Sequence, residues 1–399
     1  MPTDGPAYEM LAHLLRDSHV ATLERLPELV ERRAAAAGLS EILILLADLR
    51  EQRLTALHPV ETRTFRVDAS LAGRAFRDVT MIATARDGAH HFWIPLLDGT
   101  ERIGVLGLAA PDRSESTVDR IGALASLVAL MVVSKRPHSD TYQQLVRTEP
   151  MAVAAEVVWP LMPPLTFATD DLVLTAVLEP AYDIGGDAVD YAIAGDVVHL
   201  SIFDAMGHDQ SAGLTVALAT GACRSYRRRG ANLVETSIAV DEVIGEQFGG
   251  LRFATGVLAE LDHRTGRLSW VNRGHPPPLL IRQGRWVREL RCHPAPPMGF
   301  QLPAAPVLCH EHLEPGDRLL FYTDGIVEAR DPRGRQFGLR RFADFVIRRE
   351  ADGCPAPETL RRLMRTVLDH QNGRLQDDAT ALLVEWQHDR EKSLLVQAP

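Results

Sequence analysis

Lysine is almost missing from this chain: Lys135 and Lys392 are the only two among 43 basic residues. No Lys or Arg at all occurs between Arg147 and Arg224. With 53 acidic residues against those 43, the formal net charge is −10. That balance excludes a generic nucleic-acid binder, which needs a basic face to neutralise phosphates, and disfavours an anionic membrane surface. Cysteine is sparse as well. Cys223, Cys292, Cys309 and Cys354 form no C-x-x-C pair and no zinc spacing, so reduced thiols in a cytoplasmic protein are expected. Long apolar runs are lacking too. The longest, IGALASLVALMVV at 121–133, falls short of the ~20 residues that span a bilayer. The start, MPTDGPAYEMLAHLLRDS, lacks a basic segment followed by an apolar one, so no signal peptide is expected. What is present is ordinary globular material: 399 residues, 46% hydrophobic and 24% charged, enough for two or three domains.

The acidity is concentrated. Residues 151–210 hold ten acids, as many as the excess of the whole chain. A solvated acidic face and a set of carboxylates awaiting cations both fit that count.

Along the chain, residues 8–38 read as helical from the recurrence of leucine. EILILLADL (41–49) reads as a buried strand, and HHFWIPLL (90–97) and RIGVLGLAA (102–110) flank a DGTE turn as a hairpin. Residues 117–134 return to helical spacing, which closes one α+β domain. Proline-rich residues 138–165 form a connector with a short apolar helix, MAVAAEVVW, after Pro150. From Leu172 onward strands alternate with turns: 172–178, 190–195 and 197–203, then helices at 211–228 and 233–248. The segments 253–262, 267–272, 278–282 and 285–290 again read as meander strands, linked by RTG and QG turns. A strand at 318–324, helices at 338–349 and 357–370 and a last strand at 379–386 complete the pattern. Hairpins and paired helices imply antiparallel sheets with helices packed outside, α+β rather than a doubly wound parallel sheet.

Four acidic motifs stand where apolar strands end: DIGGDAVD (183–190), FDAMGHD (203–209), YTDGIVEA (322–329) and QDDAT (376–380). Hard divalent cations select carboxylate, carbonyl and water oxygens. Aspartates converging from four segments repel one another and require a metal or a shared proton. The neighbouring glycines read as sharp turns that let a backbone carbonyl approach.

With AAEVVWPLMPPL, VNRGHPPPLL (271–280), PPMGF (296–300) and DDATALLVEW in the same order, these motifs resemble the metal-dependent protein phosphatase family of type 2C, in its bacterial SpoIIE- and RsbU-like branch. The resemblance covers about residues 150–387. It implies an α-β-β-α sandwich and hydrolysis of a phosphoserine or phosphothreonine on a protein by water activated between two Mn²⁺ or Mg²⁺ ions. By that resemblance Asp187, Asp204, Asp324 and Asp377 are the catalytic acids and metal ligands, Asp204 bridging, with the backbone carbonyl of Ala205 as a further ligand. Asp378 stands beside the last ligand, and Asp190 is a motif acid of outer-shell type. The implied partner is a phosphorylated regulatory protein, an anti-sigma-factor antagonist, with no nucleic acid and no membrane. SLAGRAF (70–76) and IGVLGL (103–108) resemble a GAF-type sensory domain. The expected layout is then a GAF-like domain at 1–137, a helical linker at 138–165, the phosphatase domain at 166–388 and a tail at 389–399, with homodimer contact through helices of 117–158.

Several positions depart from the family pattern. Ala205 and Met206 replace Gly and His, leaving His208 and His275 as candidate general acids beside a water. Asp209 adds an acid that either binds a further cation or faces water. Arg273 reads as a surface arginine, with contact to a phosphate or an acidic partner as the alternative. Two other phosphate chemistries fail: YTDG lacks the D-x-D of haloacid-dehalogenase-type enzymes, and GGD here continues into Ala188 and Val189 rather than a cyclase signature. The remaining rival is a catalytically silent sensor that keeps the fold.

Overall fold

The computed structural model describes residues 5–58, 63–86, 88–183, 185–207, 209–373, 375–386 and 394–397. The chain divides into two compact units, Met1–Glu149 with Ser393–Pro399, and Pro150–Lys392.

The first unit runs α1 (Gly5–Ser18), α2 (Leu26–Ala35), β1 (Ser40–Ala47), β2 (Arg53–Ala56), β3 (Thr64–Arg66), α3 (Leu71–Asp78), β4 (Ile82–Arg86), β5 (Ala89–Asp98), β6 (Glu101–Ala110), α4 (Glu115–Lys135) and α5 (Asp140–Val146). Its antiparallel sheet has the order β3-β2-β1-β6-β5-β4. Strand alternation sorts the side chains into two layers. Ile44, Leu46, Leu106 and Leu108 join Leu14, Leu26 and the α4 stripe Ile121, Leu124, Val128 and Val132. Leu45, Leu54 and Val105 face the other way, onto Ala72 and Phe76 of α3. By length and composition α4 would suffice to cross a bilayer, but that stripe is core. The helix expected over 8–38 is interrupted between Ser18 and Leu26, and Pro27, which lacks an amide proton, sits in the first turn of α2. Part of the expected tail returns to this unit, where Met81 N–H donates to the Gln397 carbonyl at 2.9 Å.

The second unit runs α6 (Val153–Val158), β7 (Thr166–Ala168), β8 (Leu172–Glu179), β9 (Asp187–Ala194), β10 (Val197–Ala205), α7 (Gln210–Arg228), α8 (Leu233–Phe248), β11 (Ala254–Asp262), β12 (Arg267–Arg273), β13 (Leu279–Arg282), β14 (Arg285–Glu289), β15 (Cys309–His312), β16 (Arg318–Tyr322), α9 (Asp324–Val327), α10 (Leu339–Ala351), α11 (Ala356–His370) and β17 (Ala379–Trp386). Two antiparallel sheets, β15-β12-β11-β10-β9 and β14-β13-β16-β17-β8-β7, stack face to face. Leu172, Leu174, Leu200, Ile202, Val257, Phe321, Leu382 and Val384 fill the space between them. On the outer face of the first sheet, Ala188, Phe203, Leu258 and Val271 pack against Val216 and Ala219 of α7 and Val240 and Ile244 of α8. Helices α10 and α11 pack on the second sheet, giving the α-β-β-α sandwich.

The meander strands expected over 253–290 divide between the two sheets. Strand β12 stays in the first, and β13 joins the second. Between them lies Gly274-His275-Pro276-Pro277-Pro278. Three prolines offer no N–H to extend a ladder, and Gly274 takes φ +72°. The unforeseen strand β15 then pairs with β12, Trp270 facing Cys309. The expectation of four reduced thiols is also corrected. Cys292 and Cys309 form a disulfide, a pairing that local spacing rules do not show because the loop between them folds back across β12. Cys223 and Cys354 are free.

Candidate functional site

The site is built where the two sheets end together. Strands β9 and β10 are antiparallel with Asp187 opposite Asp204, so two carboxylates from segments 17 positions apart share one strand end. From the other sheet, the end of β16 delivers Thr323 and Asp324, and the approach to β17 delivers Asp377 and Asp378. The Thr323 hydroxyl donates to Asp187 Oδ2 at 2.8 Å and accepts from the Thr380 amide at 2.9 Å. One small side chain therefore stitches both sheets to the first acid.

Asp378 clamps the loop before Asp187: its Oδ2 accepts from the amides of Gly185 (3.0 Å) and Gly186 (2.6 Å). The Gly186 carbonyl in turn accepts from the Ala205 amide at 2.7 Å. Glycine is required here for close approach rather than for a left-handed turn. A Cβ on Gly186 would stand 2.5 Å from the Gly207 carbonyl oxygen and 3.0 Å from that of Ala205. A Cβ on Gly325 would stand 1.9 Å from the Asp378 carbonyl oxygen. Both contacts hold acidic segments against one another.

The electrostatics follow from that crowding. Asp187 is 1% exposed; burial, then Asp204 and Asp378, hold its carboxyl well above the usual carboxylate range. Asp204 is pushed up to about 8, first by burial and then by Asp324, Asp377 and Asp378. Asp324 is raised by burial and by Asp377 and Glu328. The four acids expected from sequence thus come together and repel. Among the described residues, no group of three or more His, Cys, Asp or Glu side chains converges closely enough to hold a metal ion as it stands. The donor chemistry nonetheless fits hard divalent cations: the acids offer oxygen only, and what raises Asp187, Asp204 and Asp324 beyond burial is more negative charge.

Other sequence expectations are corrected. Asp190 faces α7, where Arg224 (2.7 Å) and Arg227 (2.9 Å) engage it; alternation along β9 points it away from Asp187's partners. Asp209 caps α7 through the Ala212 amide at 2.9 Å and pairs with Arg252 at 2.8 Å, its side chain more than half exposed, so it faces water with a guanidinium as its partner. Arg273 is not a surface residue. It is 2% exposed, paired to Asp241 at 2.9 Å, and donates to the Pro296 carbonyl. Asp241 also accepts from the Gly299 and Gln301 amides, so this pair holds the PPMGF segment. His275 is buried against Thr255 Oγ1 at 2.8 Å, and burial pushes its pKa down to about 3. It stays neutral near pH 7 and so lacks the imidazolium proton that a general acid needs. His208 lies outside the described residues. Thr323 and Thr380 are functional positions that a reading of acidic motifs alone does not single out; their place next to strand-terminal aspartates is the signal that marks them.

Residues 194–387 match the family model for stage II sporulation protein E (SpoIIE). The chain is 26% identical over 243 residues to protein IcfG of Synechocystis sp., covering 53% of this chain and 37% of that one. It is 22% identical over 247 residues to phosphoserine phosphatase RsbU of Bacillus subtilis, covering 61% and 71%. Among solved structures it resembles the RsbU and RsbW domains of a Mycobacterium tuberculosis protein (26% identity, 57% of this chain and 63% of that one, TM-score 0.48). It also resembles the SiaA PP2C domain of Pseudomonas aeruginosa (22%, 53% and 85%, TM-score 0.47). The chain thus spans little more than a third of IcfG's length. By that match the larger part of the second unit is similar to the SpoIIE family of phosphatase domains.

Proposed function

We propose that the second unit is a metal-dependent serine/threonine protein phosphatase. The observation that carries the reading is the convergence of Asp187, Asp204, Asp324 and Asp377 at one end of the sandwich, each of the first three raised by burial and by other carboxylates. Two Mn²⁺ or Mg²⁺ ions would be held by these four acids and the Ala205 carbonyl. Once bound, they supply activation of water for in-line attack at phosphorus and charge for the phosphoryl oxygens.

The chain's own groups do the positioning. Thr323 fixes one oxygen of Asp187. Asp378 holds the 185–186 backbone so that Asp187 and Asp204 stay opposed. Without cations Asp204 keeps a proton to about pH 8, so cation binding competes with protonation there. Neutral His275 orients Thr255, which stands opposite Asp204 in the sheet.

The substrate in this reading is a phosphorylated regulatory protein, an anti-sigma-factor antagonist, dephosphorylated in the cytoplasm under control of a GAF-like first unit, with homodimer contact through helices of 117–158. RsbU, named a phosphoserine phosphatase, supports the reaction class. The test is phosphate release from p-nitrophenyl phosphate and from a phosphoserine protein, with and without Mn²⁺. Turnover is expected only with metal and is expected to vanish in Asp204→Asn and Asp377→Asn. Metal-independent turnover, or turnover that survives both substitutions, would sink the mechanism.

A further inference from the structure

The stretch that follows Asp324 reverses the charge of its surroundings. Residues 329–341 carry Arg330, Arg333, Arg335, Arg340 and Arg341 against one acid, Asp331, in a chain of net charge −10. The phosphatase reading gives these arginines no role. Asp324 and Glu328 stand directly before them in the chain, so the cationic stretch borders the candidate site. Burial, Asp377 and Glu328 nonetheless raise Asp324, so the arginines are not the site's own compensation.

The stretch is a tight hairpin. The Phe337 amide donates to the Ala329 carbonyl at 2.7 Å, and the Asp331 amide to that of Arg335 at 3.0 Å. Pro332-Arg333-Gly334 forms the tip. The Gly338 amide donates to the Val327 carbonyl at 2.9 Å, which ties the hairpin to α9 and so to Asp324. Asp331 is committed inside the turn: it accepts from the Arg333 and Arg335 amides and pairs with Arg335 at 2.7 Å. Arg330 reaches only the Gly334 carbonyl, and Arg341 lies over the Phe337 ring and against His370. Arg333 and Arg340 are exposed, and among the described residues nothing holds their side chains. These four guanidinium groups stand on a preorganised frame with no carboxylate to answer them, and their planar forks match one.

We propose that this hairpin docks an acidic segment of the protein on which the neighbouring site acts, carboxylates of that segment pairing with Arg330, Arg333, Arg340 and Arg341. That the docked protein is the substrate rests on the phosphatase reading; the docking itself does not. Charge complementarity selects the occupant. A nucleic acid would also use exposed aromatic faces for stacking, whereas the one aromatic of the hairpin, Phe337, is buried. Rim charges of this kind govern encounter and salt dependence.

The test uses the full chain with a fluorescein-labelled peptide rich in glutamate, its glutamine counterpart and an oligothymidylate, read by fluorescence anisotropy. The glutamate peptide is expected to bind, more weakly as salt is raised, and the glutamine peptide is not. Arg333→Gln and Arg340→Gln change exposed side chains that hold nothing, so the fold should survive, and each should weaken binding about threefold. Reversing both charges, Arg333→Glu with Arg340→Glu, should weaken it about tenfold or more. Arg228→Gln, at an exposed arginine of α7, should leave it unchanged. The proposal is overturned if the glutamate peptide fails to bind at millimolar concentration in low salt, or if the double reversal does not weaken it. It is overturned as well if the glutamine peptide or the oligothymidylate binds as tightly. Anisotropy requires no turnover. A chain that hydrolyses p-nitrophenyl phosphate yet ignores the glutamate peptide overturns this inference alone, and one that binds the peptide without any turnover overturns the phosphatase reading alone.

Discussion

Two kinds of aspartate stand within a few residues of each other in the second unit, and their surroundings differ in one respect. Asp190, Asp209 and Asp241 each have a guanidinium within 2.9 Å: Arg224 and Arg227, Arg252, and Arg273. Asp187, Asp204 and Asp324 have chiefly burial and other carboxylates acting on them. The first kind is compensated by the chain itself and holds structure together: β9 to α7, the start of α7, α8 to the 296–301 segment. The second kind is left uncompensated, which raises the energy of the fold and creates a place where cations are favoured. Within the acid-rich stretch 151–210, Asp190 and Asp209 are therefore of the first kind and Asp187 and Asp204 of the second.

The comparison breaks most visibly at Arg273. If compensation is structural, Arg273→Ala leaves Asp241 buried without its cation, and the loss should reach about 3–5 kcal/mol. Urea denaturation, followed on the transition of the second unit, measures it. A loss within experimental error would mean that the Gly299 and Gln301 amides alone satisfy Asp241.

The uncompensated side makes the next largest prediction, and its sign is opposite. The Asp204 carboxyl has an ordinary value of 3.8 and is pushed to about 8 in the fold. The folded chain binds that proton more tightly than the unfolded chain, so its stabilising effect is complete below pH ~4 and is lost as the pH rises to 8. Metal-free protein should lose on the order of a few kcal/mol across that window. Asp204→Asn should flatten the decline while abolishing activity, and Mn²⁺ should restore stability at pH 8 by binding only the folded state. Thermal melts at pH 5, 6.5 and 8, with chelator and with Mn²⁺, decide it. A melting temperature that does not fall with pH in chelator would show that Asp204 is compensated after all.

Much of this was legible in the sequence for a physical reason. Hairpins such as Asp98–Glu101 and the strand end of Asp204 are local: alternation and turn residues specify them within ten positions. The four strand-terminal acids could likewise be gathered by motif. What the sequence hid was who faces whom. Asp187 and Asp190 belong to one motif, yet Asp190 meets two arginines of α7 more than thirty positions on. Arg273 looked like a surface residue because its partner, Asp241, lies on a helix in another stretch of sequence. The switch of sheet after β12 was hidden in the same way, since the strand pattern on either side of the prolines is identical and only the partners differ. The Cys292–Cys309 pairing also depends on a loop folding back, which no spacing rule encodes.

Asp209 gives the smallest effect and the sharpest separation of the two populations. It sits next to the site in sequence, five residues after Asp204, and by position alone it belongs with the metal-seeking acids. Its geometry puts it with the compensated ones. It accepts from the Ala212 amide as the N-cap of α7, and both the cap and Arg252 hold its carboxyl below the usual range. Asp209→Ala should therefore cost about 1 kcal/mol, the ordinary value of a lost cap, with little added for a half-exposed ion pair. Asp209→Asn, which keeps a capping oxygen, should recover most of it. Neither change should alter the Mn²⁺ concentration needed for half-maximal phosphate release. A shift of tenfold or more in that concentration, without a matching loss of stability, would move Asp209 into the other population and make it a cation ligand in its own right.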